Sequence, residues 1–106
     1  MIEATFHHFG VPTHEQRSGE TYIEGAKVYI TDPDDHPYRV EFLRFEADSA
    51  MHERVRTCPH AAFMVEDLDR ALEGRDVIVP PFDATDALRV AFITDGDAVI
   101  ELMQNI

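Results

Sequence analysis

Cysteine is nearly absent from this sequence, and so are long apolar runs. Cys58 is the only thiol, so no internal disulfide can form and nothing indicates an oxidising compartment. No apolar run approaches the ~20 residues that a membrane-spanning helix needs. The first residues, 1–5, lack the basic start and the apolar core of a signal peptide. Together these absences predict a cytoplasmic protein with no membrane association.

Positive charge is scarce as well. The chain has 9 Lys and Arg against 21 Asp and Glu, a formal net charge of -12, and Lys27 is its single lysine. Nucleic-acid binding depends on basic side chains that neutralise phosphates, and binding to an anionic membrane surface also requires basic side chains. We therefore predict that neither is a partner. The acidity indicates solubility first, although it would also attract a cation.

What the sequence does contain is an internal repeat with a period of about fifty residues. Segment 30–32 (ITD) followed by 40–43 (VEFL) is matched by segment 93–95 (ITD) followed by 100–103 (IELM). Each half also opens with a histidine at the head of an apolar run, at His8 and at His60. A chain of 106 residues supports one modest core. We predict one domain, 1–106, made of module one (1–46), a linker (47–59) and module two (60–106).

The element order of module two is predicted to be βαβββ. A strand at 60–65 precedes a helix capped by Asp67 and ended by Gly74. A β-branched strand at 76–79 stops at two prolines, and 82–87 is a loop. Strands 88–94 and 98–103 form a hairpin around Asp-Gly-Asp at 95–97.

Module one is predicted to have the same order of elements in an abbreviated form. Strand 5–11 precedes at most two turns of helix, which Thr13 and Gln16 could open as a capping box. The strand that should follow this helix is missing from the pattern. Segments 27–31 and 38–45 form the hairpin, and Asp48 or Ser49 could cap a short connecting helix.

Strand alternation assigns faces to the two repeated glutamates. Glu41 and Glu101 point to an inner face if a helix covers Val40, Phe42, Ile100 and Leu102 on the outer face. A buried, ionised carboxylate is unfavourable without a partner, so two such positions in register indicate a site. Singly, a solvated edge-strand carboxylate or a hydrogen-bonded strand histidine remains the alternative.

The opening strand carries two adjacent histidines, and alternation allows only one of them on the inner face. Gly10 leaves open space beside His8, which favours His8 over His7, although the choice stays open. His7, His14, His36 and His52 are expected in surface or loop positions. Arg39 and Arg89 could face a substrate anion or be solvated.

The segments His8-Phe9-Gly10, 60–72, 90–93 and 100–102, in this order, resemble the vicinal oxygen chelate superfamily. That superfamily includes glyoxalase I, methylmalonyl-CoA epimerase, extradiol dioxygenases and bleomycin-binding proteins. The resemblance implies an α+β fold in which two βαβββ modules pair into a curved, cup-like mixed sheet around a divalent metal, here with module one abbreviated. It implies ligands from the first and last strand of each module, namely His8, Glu41, His60 and Glu101.

The function implied by the resemblance is that of a metal-dependent lyase or isomerase of the glyoxalase type. Zn, Ni, Co, Mn or Fe would stabilise an enediolate-like intermediate of a small vicinal-oxygen substrate, with Glu101 or Glu41 as the catalytic base. The alternatives are a binding protein of the bleomycin-resistance type and a dioxygenase-like or vestigial domain. No glutathione or CoA feature is present, and a homodimer is expected. Specificity is assigned to segments 12–26 and 80–87.

Overall fold

A computed structural model of the protein describes residues 3–106. These residues form one eight-stranded mixed sheet with two short α-helices. The strands are β1 (Thr5–Pro12), β2 (Thr21–Ile23), β3 (Val28–Ile30), β4 (Val40–Phe45), β5 (His60–Met64), β6 (Asp76–Thr85), β7 (Leu88–Asp95) and β8 (Ala98–Asn105). The helices are α1 (Glu53–Thr57) and α2 (Leu68–Ala71). Neither helix is long and apolar enough to cross a membrane, among the residues described.

The strand order is β2-β3-β4-β1-β5-β8-β7-β6, which places the two modules symmetrically about the middle of the sheet. The opening strands β1 and β5 pair antiparallel at the centre. Each is flanked by the last strand of its own module in parallel, β4 beside β1 and β8 beside β5. The predicted fold class is therefore confirmed, and the pseudo-two-fold axis passes between the two histidine-bearing strands.

The two faces of the sheet carry separate cores. On the inner face Val99 and Met103 pack with Val55, Phe92 and their neighbours. On the outer face Leu102 packs under α2 against Leu68. Alternation along β8 therefore leaves Glu101 on the inner face with Val99 and Met103, as predicted.

Module two matches its predicted order with one correction. Asp67 caps α2 by accepting the backbone N–H of Arg70, and Gly74 follows with a φ of 72°. The predicted stop of the second strand of module two at the prolines, with a loop at 82–87, is wrong: β6 continues to Thr85. Proline is tolerated there because β6 is the edge strand, and its register with β7 shifts around the prolines.

Module one departs further from prediction. No helix forms between β1 and β2; instead Thr13 Oγ1 accepts the backbone N–H of Glu15 at 3.1 Å in a tight turn. The strand that the pattern lacked is present as the three-residue β2, paired with β3. The connecting helix α1 is capped by His52, which accepts the backbone N–H of Arg54, and neither Asp48 nor Ser49 caps it.

The outer face of module one is covered by a side chain where module two uses a helix. The Arg17 guanidinium lies 3.7 Å from the centroid of the Phe42 ring. The loop between β1 and β2 therefore takes over part of the covering role that α2 has in module two.

Candidate metal centre

Two cross-strand rows at the centre of the sheet position the candidate ligands. In one row Gly10 of β1 lies between Glu41 of β4 and His60 of β5. In the other, Ala62 of β5 lies between His8 of β1 and Glu101 of β8. A small residue in the middle of each row leaves room above the sheet for the flanking side chains. The sequence repeat therefore places equivalent residues of the two modules at equivalent positions in the sheet.

The side-chain atoms of the two rows converge on the inner face. His60 Nε2 lies 3.2 Å from Glu101 Oε1, and His8 Nε2 lies 3.4 Å from the same oxygen. His8 Nε2 also lies 3.5 Å from Glu41 Oε1. The ligand atoms of His8, His60 and Glu101 all lie within 4.8 Å of one another, and all three residues are buried. Glu41 contacts this group through His8 and stands at its margin.

Burial and charge act in opposite directions on these groups. Burial alone would lower the pKa of His8, but the Glu101 and Glu41 carboxylates outweigh it and raise that pKa to about 9. Burial alone would raise the pKa of Glu101, but His60 and His8 lower it to about 2. Without an ion, a proton on His8 therefore supplies the positive charge that the two carboxylates require.

Gly10 makes the position of His60 possible. A Cβ at residue 10 would lie 2.7 Å from His60 Nδ1 and closer still to Nε2 and Cε1, so any side chain there would overlap the ring. The Phe92 ring meets the opposite side of the imidazole edge-on, with centroids 5.2 Å apart. The expectation that Gly10 opens space on the inner face is confirmed, and the space is taken by His60.

His7 lines the inner-face cavity together with His8, so the predicted surface or loop position of His7 is wrong, and the open choice between the two histidines resolves to both. The pairing of β1 with β5 shifts between Phe6 and His8, so a β-bulge carries His7 into the inner-face cavity beside His8. The Nδ1 atoms of His7 and His8 are 2.8 Å apart, a hydrogen-bond distance. Burial and the neighbouring His8 charge lower the pKa of His7, so His8 is the donor. Strict alternation hides such a residue, and the sequence has no mark of the bulge.

The buried groups fit a divalent ion. His8 Nε2 is buried without a well-formed hydrogen bond, and so is His60 Nδ1. Ligands around one ion at bond lengths near 2.1 Å stand roughly 3.0–3.4 Å apart, close to the separations of 3.2 and 3.4 Å between the two Nε2 atoms and Glu101 Oε1. His8, His60 and Glu101 could therefore hold a metal ion. Two imidazoles and a carboxylate suit Zn or another first-row metal.

The centre opens into a cavity, here called the cup, of about 170 Å³ on the inner face. Both modules line it, and so do both segments that were assigned to specificity, through Ile23 and Phe82. Arg39 and Arg89, which could have faced a substrate anion, instead pair with Asp34 and Asp83, each at 2.8 Å. Outside the cup, His52 is the cap of α1.

Two solved structures are similar to this chain over nearly its whole length. A hypothetical protein, BH1468 from Bacillus halodurans C-125, superposes with a TM-score of 0.73 at 15% identity, covering 95% of this chain and 94% of that one. Methylmalonyl-CoA epimerase from Mycobacterium tuberculosis superposes with a TM-score of 0.65 at 16% identity, covering 96% and 88%.

At these identities the likeness establishes the fold alone. No family model matches the sequence, and a comparison with curated proteins finds no relative. The fold shared with the epimerase and the pairing of the two modules agree with the resemblance found in the sequence. The chain therefore has the fold of the vicinal oxygen chelate superfamily.

Proposed function

We propose that the protein is a divalent-metal-dependent lyase or isomerase acting on a small substrate with two adjacent oxygens. The observation that carries the proposal is the convergence of His8, His60 and Glu101, all buried, around an imidazole nitrogen that has no well-formed hydrogen bond. Ionisable groups that are buried together in a cavity, with the pKa of His8 raised and that of Glu101 lowered, are typical of functional sites. The likeness to an epimerase supports the isomerase branch.

The four residues divide into holding and reacting groups. His8, His60 and Glu101 would hold the ion, which when bound supplies a Lewis acid for the two substrate oxygens. Glu101 contacts both histidines, so we assign its carboxylate to holding the ion and not to proton transfer. Glu41 touches only His8, at 3.5 Å, and lines the cup. We therefore assign Glu41 the role of accepting the proton from the carbon next to the carbonyl and returning it to the product.

The size of the cup supports a small reacting group. Pockets for drug-sized ligands have volumes of roughly 300–1,000 Å³. The cup, at about 170 Å³, is smaller than these pockets and accommodates a small molecule or the small end of a larger one.

Metal titration of protein made without a histidine tag tests the proposal. We expect one equivalent of Ni²⁺, Zn²⁺ or Co²⁺ to bind by calorimetry, with a Co²⁺ absorption spectrum that reports the ligand set. Glu101→Gln should weaken metal affinity by about 100-fold, because it removes an ionised ligand in contact with both histidines. Glu41→Gln should weaken it by about 10-fold or less. Failure to bind any of the three ions would sink the proposal.

A binding protein of the bleomycin-resistance type is the second candidate, and the net charge of -12 favours it through attraction of cationic ligands. Hydrogen exchange separates the two. Metal-loaded enzyme in D₂O should exchange the C–H next to a carbonyl of small α-hydroxycarbonyl compounds, measured by NMR. Glu41→Gln should abolish this exchange while the metal stays bound. Binding without exchange in the parent protein would favour sequestration.

A further inference from the structure

The walls of the cup are apolar, apart from the residues of the metal centre and its rim. They come from both modules and include Val28, Ile30, Phe45, Phe82, Leu88 and Met103. The ionisable groups that line it are His7, His8, Asp32, Glu41 and Glu101. No lysine or arginine within residues 3–106 lines the cup. With a bound metal ion in place of the His8 proton, a ligand anion would therefore meet carboxylates and no cationic side chain of the protein.

The basic side chains in and next to β3 and β4 pair with carboxylates that do not line the cup. Arg39 donates hydrogen bonds from Nη1 to the Asp34 carboxylate and from Nε to the carbonyl of His7, so its charge is neutralised outside the cup. Lys27 pairs with Asp48 at 2.5 Å. Arg44 pairs with Glu20 at 2.7 Å. These contacts leave the metal centre as the only source of positive charge for a bound molecule in the described part of the cup.

We infer that the substrate is an uncharged vicinal-oxygen compound, such as an α-hydroxyketone or a dicarbonyl, that carries one aliphatic or aromatic substituent and no carboxylate or phosphate. This inference rests on the proposed function. The two oxygens face the centre, and the substituent packs against the apolar walls. An anionic group on the substituent would be desolvated without a partner beside Asp32 and Glu41, which opposes its binding.

Three hydroxamates test the inference because they share one chelating head and differ only in the substituent. Acetohydroxamate has a methyl group, benzohydroxamate a phenyl group, and 4-carboxybenzohydroxamate a phenyl group with an added charge. Burial of a phenyl group against the walls should make benzohydroxamate bind the Co²⁺-loaded protein 10- to 100-fold more tightly than acetohydroxamate. The carboxylate should reduce the affinity of the third probe by at least 10-fold relative to the second.

The Co²⁺ spectrum separates the two ways in which this experiment can fail. Absence of Co²⁺ uptake would overturn the proposed function and this inference with it. Uptake of Co²⁺ with equal affinities for the first two probes, or with the carboxylated probe binding best, would overturn the inference and leave the proposed function standing.

A charge added at the mouth of the cup gives a second, independent measurement. Thr85 lines the cup and is exposed, so Thr85→Lys can be made without burying a cation. It should raise the affinity for 4-carboxybenzohydroxamate by about 10-fold and leave that for benzohydroxamate nearly unchanged. Ala87→Lys, exposed on the same turn but outside the cup, is the matched control and should change neither. Equal effects of the two lysines would show that only long-range charge is acting, and would count against the inference.

Discussion

At the scale of single residues, Gly10 supplies no ligand, but the geometry of the metal centre depends on it. Its missing side chain is the space in which the His60 imidazole lies, with Phe92 on the other side of the ring. Gly10→Ala should displace the ring, weaken metal affinity at least 10-fold and lower the free energy of unfolding by about 1–3 kcal/mol. Metal titration and urea denaturation measure the two effects.

Gly25→Ala is the matched control for this substitution, because a Cβ at Gly25 would meet no atom within 4 Å. It should leave metal affinity unchanged. If Gly10→Ala bound metal as the parent does, His60 would not be a ligand in its present position.

His7 acts on the centre through His8. Its Nδ1 accepts the Nδ1–H of His8, which keeps His8 Nε2 directed at the carboxylates. Partners of this kind typically change metal affinity by about 10- to 100-fold. His7→Phe keeps a ring and removes the acceptor, so metal affinity should fall in that range, whereas His7→Gln should restore part of it.

His14→Phe, at an exposed position outside the cup, is the control for His7→Phe and should have no effect. Equal affinities for the phenylalanine and glutamine variants at position 7 would mean that His7 only packs. The partial rescue is therefore the decisive measurement.

At the scale of elements, the sequence predicts faces better than it predicts boundaries. Period-two alternation places Glu101 on the inner face because the same parity holds for Val99 and Met103 in the core. It fails at His7, because a bulge breaks the parity. Alternation also predicts the face on which a side chain lies but not how closely it approaches the centre. It therefore could not distinguish Glu101, which contacts two histidines, from Glu41, which contacts one.

Short and edge strands escape prediction for a different reason. β2 is three residues long and depends on pairing with β3, so its own residues carry no periodic pattern. β6 runs through Pro80 and Pro81 only because its outer edge needs no hydrogen bonds. In both cases tertiary pairing determines the element.

The loop between β1 and β2 stands where module two has a helix, and Arg17 of this loop contacts the outer face. Its guanidinium stacks on Phe42, and its Nε is buried without a hydrogen-bond partner among residues 3–106. Arg17→Ala should lower the free energy of unfolding by about 1 kcal/mol, through lost packing and cation–π attraction. Because Phe42 faces away from the cup, metal affinity should stay at the parent value; a change in it would contradict the assignment of the two faces.

At the scale of the whole molecule, the centre couples stability to pH when no metal is bound. His8 faces Glu41 from β4, Glu101 from β8, His60 from β5 and His7 from its own strand. Folding raises the pKa of His8 from 6.5 to about 9. The contribution of His8 to the free energy of unfolding is therefore complete below pH 6.5 and is lost as pH rises through 9. Folding lowers the pKa of Glu101 from 4.5 to about 2. The contribution of Glu101 to the free energy of unfolding is therefore complete above pH 4.5 and is lost as pH falls through 2.

The metal-free protein should therefore be most stable between about pH 4.5 and 6.5. Its free energy of unfolding should fall by roughly 2–3 kcal/mol between pH 6.5 and 8.5, as His8 loses its proton beside two carboxylates. Urea denaturation in the presence of a chelator measures this slope, and His8→Gln should flatten it. Saturating Zn²⁺ should reverse the trend, because a bound ion replaces the proton and competes best at high pH. A parent slope in chelator equal to that of His8→Gln would show that the charge at His8 does not control the stability of the metal-free fold.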